Sequence, residues 1–149
     1  MDERIKKWLK MSRAELDEIY SNASAGEIPN GDTRGTAIVA GSMFSKSIAL
    51  LARLFAWQGK VFDIFAPGAD AGILINKVSY FSVTFIVAKV YRQASWLDGK
   101  DTIVIDYSTT SFVAKKIRDE IREVEPGLYL GKVWFGKKRI LDFALTYKK

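Results

Sequence analysis

Residues 82–107 read SVTFIVAKVYRQASWLDGKDTIVIDY and decide the fold of this chain. The first part, residues 82–96, is rich in β-branched and aromatic side chains, which favour an extended strand. Asp98-Gly99 is a typical two-residue hairpin turn, and residues 102–107 then repeat the apolar strand pattern. The stretch therefore predicts two antiparallel strands joined by a tight turn.

The same strand signals recur on both sides of this hairpin. We predict further strands at residues 36–40, 60–65, 72–78, 128–135 and 139–147, the last two joined across residues 136–138. A sheet of this size with apolar residues on both faces tends to curl and close on itself. The expected fold is α+β, a largely antiparallel β-barrel or half-barrel of about seven to eight strands.

Helical segments accompany the predicted barrel. Residues 1–25 are expected to form a helical N-terminal extension, in which Ser12 and Glu15 make a capping box, and residues 26–35 to form a loop. Two more helices are predicted near residues 43–58 and 111–125. The first has an apolar stripe, which can pack on a sheet, close one end of the barrel or contact a membrane surface; it comprises Phe44, Ile48, Leu51, Leu54 and Phe55. The second has a buried stripe with Ile117 and Ile121 at helical spacing. Without a repeat or a linker, residues 1–149 are expected to form a single domain.

Composition excludes several kinds of chemistry. The 149 residues contain neither histidine nor cysteine, so a Ser-His-Asp triad, a cysteine nucleophile, a disulfide and a thiolate or histidine metal site are all excluded. Calcium-loop and phosphate-loop patterns are missing, and we expect no metal and no cofactor. The formal charge is +6, but most basic residues alternate with acids, and no nucleic-acid partner is expected. The charged N-terminus lacks a signal sequence and no apolar run approaches ~18 residues, which predicts a cytoplasmic location.

Charged residues within the apolar strands are the first candidates for a site. Asp106 lies in an apolar strand, as do Asp63, Lys89 and Asp142. If these side chains point into a barrel, burial raises the pKa of a carboxyl group and suits it to acid–base chemistry. If they point outward they are ordinary surface charges. Lys132 and Asp142 lie on the two arms of the last hairpin and can also form a cross-strand ion pair.

Aromatic side chains are the second group of candidates, because rings spread over nearly every strand either fill a small barrel or line a pocket inside it. The ligand-binding candidates are Trp57, Phe62, Lys77, Tyr91, Arg118, Trp134 and Phe143. Among them Lys77 or Arg118 would meet an acidic head group, although a structural ion pair also explains Arg118. The catalytic candidates are Asp106 as acid or base, and Tyr107 and Tyr129 as hydrogen-bond donors.

Several short motifs support a family resemblance. The stretches at residues 57–62 (WQGKVF), 76–77 (NK), 126–131 (PGLYLG) and 143–145 (FAL) resemble those of uncharacterised bacterial lipocalin-like proteins. The aromatic-x-Gly-Lys-x-Phe element is also similar to GXWXG-type domains, and the late strands are similar to those of plastid lipid-associated (fibrillin) proteins. This resemblance implies a calycin-type barrel around an apolar small molecule.

These observations predict a protein that binds a hydrophobic small molecule inside a β-barrel, such as a fatty acid, an isoprenoid or an aromatic acid. The alternative is a cofactor-independent enzyme, an isomerase, cyclase, lyase or hydrolase, acting on an apolar substrate in the same cavity. A third hypothesis is a peripheral membrane protein that contacts the bilayer through residues 43–58. The oligomeric state is left open.

Overall fold

A computed structural model describes residues 1–39, 57–64, 71–80, 82–112 and 114–147, and these form two short helices and eight strands. The helices are α1 (Glu3–Trp8) and α2 (Arg13–Asn22). The strands are β1 (Gly31–Ile38), β2 (Trp57–Ile64), β3 (Ala71–Tyr80), β4 (Ser82–Ala94), β5 (Asp101–Asp106), β6 (Ile117–Glu125), β7 (Leu128–Phe135) and β8 (Lys138–Tyr147). Each strand pairs antiparallel with the next, and β8 pairs with β1 to close the barrel. The predicted α+β barrel is confirmed.

The helices pack on the outside of the barrel. Asp2 caps α1, and the predicted capping box of Ser12 and Glu15 begins α2. Their apolar side chains form a cluster with the outer faces of β1, β7 and β8; it contains Ile5, Trp8, Leu16, Tyr20, Ile38, Leu128, Leu130 and Ala144. Burial of each large side chain stabilises such a contact by roughly 1.5–3 kcal/mol. The helical extension therefore covers one side of the barrel wall.

The inner face of the barrel holds the larger apolar cluster. Along β5 and β6 the inward side chains include Ile103, Ile105, Ile117 and Ile121, all of which are buried. Because side chains alternate along a strand, the residues between them point outward. This alternation separates the inner face from the outer face that α2 covers.

Two sequence predictions are wrong. Residues 111–125 do not form a helix, because β6 occupies Ile117–Glu125 and pairs with β5 and β7. Its charged side chains Glu120 and Arg122 are buried on the outer face, where both contact Tyr20 of α2. The loop predicted at residues 26–35 is also too long, since β1 begins at Gly31. Of the helix predicted near 43–58, residues 43–56 lie outside the described residues, and residues 57–58 begin β2.

One end of the barrel is closed by residues 23–30, the segment between α2 and β1. Ala25 and Ile28 join the inner apolar cluster, and the backbone N–H of Glu123 donates to the Ser24 carbonyl at 3.1 Å. We call this the closed end; the turns at residues 95–100 and 126–127 lie there too. The opposite end, which we call the loop end, carries residues 107–116 and the turn at 136–137. Among the described residues, no helix has both the length and the apolar character needed to cross a membrane.

Candidate functional site

A tyrosine and an aspartate meet on the inner face of the barrel. Asp119 shares the inward face of β6 with Ile117 and Ile121, and its neighbours across the sheet are Ile105 in β5 and Val133 in β7. The Tyr107 hydroxyl, just beyond β5, donates a hydrogen bond to the Asp119 carboxylate at 3.3 Å. Both side chains are fully buried. The pair is a polar feature set among apolar side chains, near the loop end.

Tyr129 and Phe143 also face inward, nearer the closed end. The Tyr129 hydroxyl donates to the backbone carbonyl of Glu27 at 2.9 Å, and this bond ties the closing segment to β7. Burial raises the pKa of Tyr129, with further contributions from Tyr147 and Glu123. The Phe143 ring lies directly over Gly131 of the neighbouring strand, where a side chain would meet it at 2.3 Å. Tyr129 therefore acts as a structural anchor in this geometry.

Asp106 and Tyr91 lie on the outer face, on the side opposite to Tyr107. The Tyr91 hydroxyl donates to Asp106 at 2.9 Å, and the backbone N–H of Ser108 donates at 2.8 Å. Burial alone would raise the pKa of Asp106, but these hydrogen bonds outweigh it and the pKa is lowered. Burial, followed by the bond to Asp106, raises the pKa of Tyr91. The interpretation of Asp106 and Tyr91 as cavity residues is therefore corrected: neither side chain can reach a ligand inside the barrel.

Arg118 and Trp134 are also on the outer face. Their prediction as residues that line the barrel cavity is therefore corrected as well, because their side chains point away from the interior. Arg118 donates to Glu120 at 3.0 Å and to Gln93 at 2.6 Å, and its guanidinium lies 4.4 Å from the Trp96 ring centroid. Trp134 packs edge-to-face on Trp96, with ring centroids 5.7 Å apart. The structural explanation of Arg118 fits this geometry, because its donors already have protein partners.

The remaining sequence candidates are placed as follows. Phe62 in β2 is buried in the inner cluster, together with Phe143. Trp57 begins β2 and Lys77 lies in β3, but their side chains are outside the described part of the structure. Asp63 and Lys89 are exposed on the outer face, as the surface alternative predicted.

Lys132 and Asp142 form the predicted cross-strand pair on the outer wall, with Lys132 Nζ 3.0 Å from the carboxylate. Lys132 also donates to Asp17 of α2 at 2.8 Å, and Arg139 holds the same carboxylate through two bonds. Burial alone would raise the pKa of Asp17, but Arg139 and Lys132 lower it. These charges dock α2 onto the barrel.

A second buried network fixes α2 against β6 and the turn at 95–100. The fully buried Arg122 makes two bonds to the Asp98 carboxylate, at 2.6 and 2.7 Å, and its guanidinium lies 4.4 Å from the Tyr20 ring centroid. Hydrogen bonding from Arg122 lowers the pKa of Asp98 to about 2. Glu120 accepts from Ser95 at 2.6 Å. Every charge in this network serves the packing of the helix.

Two grooves open on the outer surface. An apolar one of about 330 Å³ runs along β3 and β4 and is lined by Ile73, Val87 and Tyr91. A polar one of about 380 Å³ lies near the loop end, between Trp96 and a group of lysines. Among the described residues no cluster of acidic side chains is suited to hold a metal ion.

The described residues thus form a closed eight-stranded antiparallel barrel with a Tyr–Asp contact in its apolar interior. The chain is similar to a protein from Thermomonospora curvata with a known crystal structure, at a TM-score of 0.58 and 18% identity, over 99% of this chain and 97% of that one. This likeness supports the barrel fold alone. No protein-family model and no curated protein sequence matches the chain.

Sequence reasoning missed Asp119 as a site residue. The helix predicted near residues 111–125, with Ile117 and Ile121 in its buried stripe, leaves Asp119 off the apolar face. The signal that could have identified it is the alternation Ile117-x-Asp119-x-Ile121, which puts the carboxylate on the apolar face of a strand.

Proposed function

We propose that this protein binds a hydrophobic small molecule inside the barrel, and that Tyr107 and Asp119 hold the polar group of that ligand. The observation that carries the proposal is their hydrogen bond, 3.3 Å long, among inward-facing apolar side chains. Burial of a carboxylate in an apolar interior is costly, and an apolar residue would serve stability as well or better. Ligand sites in proteins combine an apolar lining with a few convergent polar groups of this kind.

The chemistry of the pair favours one ligand class among fatty acids, isoprenoids and aromatic acids. A ligand hydroxyl can donate to the Asp119 carboxylate and accept from Tyr107. When Asp119 is ionised, it repels an ionised ligand carboxylate, because two like charges in a low dielectric disfavour each other. An isoprenoid or other apolar alcohol therefore fits the pair better than a fatty acid or an aromatic acid does. Membership of the lipocalin-like group and a cytoplasmic location belong to the same proposal.

The test compares farnesol with farnesoic acid, which share one apolar chain and differ in the head group. Isothermal titration calorimetry at neutral pH should give tighter binding of farnesol by about tenfold, the value of one hydrogen bond to a charged group. Asp119→Asn should remove this preference, since the amide no longer repels the acid. Native mass spectrometry of freshly purified protein, with organic extraction, identifies any ligand that is retained.

The matched control is Asp106→Asn, which removes a carboxylate from the outer face of the adjacent strand. This variant should keep the preference for farnesol. Binding of neither ligand to the wild-type protein would contradict the proposal. An equal change of preference in both variants would also contradict it, because the effect would then not come from the inner face.

The same pair supports a second candidate function, acid–base catalysis on an apolar substrate without a cofactor. Asp119 would replace Asp106 as the base, and Tyr107 would donate to developing negative charge. In this case Asp119→Asn should abolish turnover of the extracted ligand while the protein still binds it. Retained turnover in Asp119→Asn would exclude Asp119 as the base, and absence of turnover in the wild-type protein would leave binding as the function.

A further inference from the structure

Two neighbouring segments at the loop end carry lysines and aromatic rings. Residues 107–116 and 135–138 together contain four lysines and no aspartate or glutamate. We define the basic aromatic patch by the exposed members of these segments: Phe112, Lys115, Lys116, Phe135, Lys137 and Lys138. The Gly136 N–H donates to the Lys116 carbonyl at 2.8 Å, and this bond holds the two segments side by side.

The rings of the patch are exposed to an unusual degree for phenylalanine. Phe112 is 86% exposed and Phe135 is 43% exposed. The ammonium groups of Lys115 and Lys116 lie 4.9 Å and 5.9 Å from the centroids of the Phe112 and Phe135 rings, respectively. Each lysine is thus placed beside an apolar anchor. This combination is typical of surfaces that enter the headgroup region of a bilayer.

The charge of the patch is not balanced locally. Within the described part of the chain, none of its four lysines forms an ion pair with a carboxylate. At the closed end, by contrast, Asp98, Asp101 and Glu125 each form an ion pair with an arginine. This asymmetry orients the loop end toward a negatively charged surface.

The polar groove of about 380 Å³ lies next to the patch and is lined by Lys115, Lys116 and Lys137. The carboxylate in its lining, Asp106, already accepts hydrogen bonds from Tyr91 and Ser108. A phosphate-bearing headgroup fits a groove of this charge beside the two rings.

We propose that the basic aromatic patch binds the surface of an anionic phospholipid bilayer, with Phe112 and Phe135 in the headgroup region and the lysines on lipid phosphates. The proposal goes beyond the ligand function and is independent of it, because it concerns exposed residues at the rim of the loop end and neither Tyr107 nor Asp119. Lysines near an anionic surface each contribute a few-fold to binding, and the rings add an apolar term that salt does not screen.

The test is co-sedimentation with vesicles of phosphatidylcholine alone and with vesicles of equal parts phosphatidylcholine and phosphatidylglycerol. Wild-type protein should pellet with the anionic vesicles and not with the neutral ones. Lys115→Gln/Lys116→Gln should lower the partition coefficient by about 30-fold. Phe112→Ser/Phe135→Ser should lower it by about tenfold and leave a residual binding that disappears at high salt.

The matched control is Lys7→Gln/Lys10→Gln, which removes the same charge from exposed positions in and after α1 and should have little effect. Thermal unfolding of each variant checks that the barrel is intact, as expected for substitutions of exposed side chains. Failure of the wild-type protein to bind anionic vesicles would overturn the proposal. The basic aromatic patch would then be tested for binding to an acidic protein surface. An equal loss in the control would overturn it as well, because binding would then follow net charge alone.

Discussion

Replacement of Gly131 by alanine tests the packing of the barrel interior directly. A Cβ atom at this position would lie 2.3, 2.4 and 2.6 Å from the Cζ, Cε1 and Cε2 atoms of the Phe143 ring, whereas ordinary contact begins at 3.4 Å. The ring, which is fully buried, must therefore move by about 1 Å into the inner apolar cluster. Forcing extra volume into a packed core costs about 1–3 kcal/mol.

The expected result is a lower free energy of unfolding for Gly131→Ala by about 1–3 kcal/mol, measured by urea denaturation with circular dichroism. For a chain of this size the midpoint of thermal unfolding should fall by about 3–10 °C. In a strand without such a clash the same substitution would stabilise by about 0.5–1 kcal/mol, because glycine loses more backbone entropy on folding. The sign of the change therefore reports on the ring.

Phe143→Leu supplies the second arm of a double-mutant cycle, because leucine lacks the three ring atoms that approach Gly131. In this background Gly131→Ala should be neutral or stabilising, with a coupling free energy of at least about 1 kcal/mol. Equal destabilisation in both backgrounds would refute the reasoning, since the cost would then not arise from contact with the ring.

Two further predictions concern the closed end. Gly26 has φ +71°, and a Cβ atom there would lie 2.3 Å from Cβ of Glu123, whereas Gly31 has φ +93° but no atom within 4 Å of such a Cβ. Gly26→Ala should therefore destabilise the protein by about 1–3 kcal/mol more than Gly31→Ala does. Equal urea midpoints for the two variants would contradict this. The pKa of Asp98 is about 2 in the folded state, against a value of 3.8 without its partners. The pairing of Asp98 with Arg122 should therefore stabilise the folded state by about 2 kcal/mol above pH 4, and this stabilisation should be lost as the pH falls toward 2. Stability measured against pH should fall less steeply over this range in Asp98→Asn, and an unchanged slope would rule out the assignment.

Local signals in the sequence predict most of the barrel because its hairpins are local structures. The hairpin around Asp98-Gly99 and the final hairpin are confirmed, with β4 and β5 and with β7 and β8 paired as expected, but the first connection spans residues 95–100 and not two residues. Closure between β1 and β8 joins strands at opposite ends of the chain, and no local signal encodes their register. The number of strands, combined with apolar character on both faces, was the usable indication of closure.

The strand β6 shows where local signals fail. Ile117 and Ile121 are four residues apart, a spacing that fits one face of a helix and equally one face of a strand. The charged residues between them also fit the exposed face of a helix. In the fold Glu120 and Arg122 are buried under α2, where they have ion-pair and backbone partners. The burial of these side chains by α2, which is distant in sequence, is a tertiary effect that cannot be predicted from the sequence of β6 alone.

This misassignment also explains why Asp106 and Asp119 exchange roles between sequence and structure. Asp106 lies in an apolar stretch of the sequence and Asp119 in a charged one, and their side chains occupy opposite faces of adjacent strands. Asp106 is held outside by Tyr91 and Ser108, whereas Asp119 meets Tyr107 inside. The face on which each carboxylate lies depends on the register of its strand and on whether its segment is assigned as a helix or a strand. When β6 is assigned as a helix, the inward position of Asp119 cannot be recognised.

The two proposals meet at the same end of the barrel. Residues 23–30 close the far end through buried side chains and through hydrogen bonds such as that from Tyr129 to Glu27. Tyr107 and Asp119 lie toward the loop end, beneath the segment that carries Phe112 and the lysines. An apolar alcohol in a bilayer keeps its hydroxyl among the headgroups, which is the depth that exposed rings and lysines reach. A barrel that contacts the membrane with its loop end would thus have Tyr107 and Asp119 on the membrane side. The residues proposed to bind the ligand hydroxyl and the lysines proposed to bind lipid phosphates would then lie in one region of the molecule.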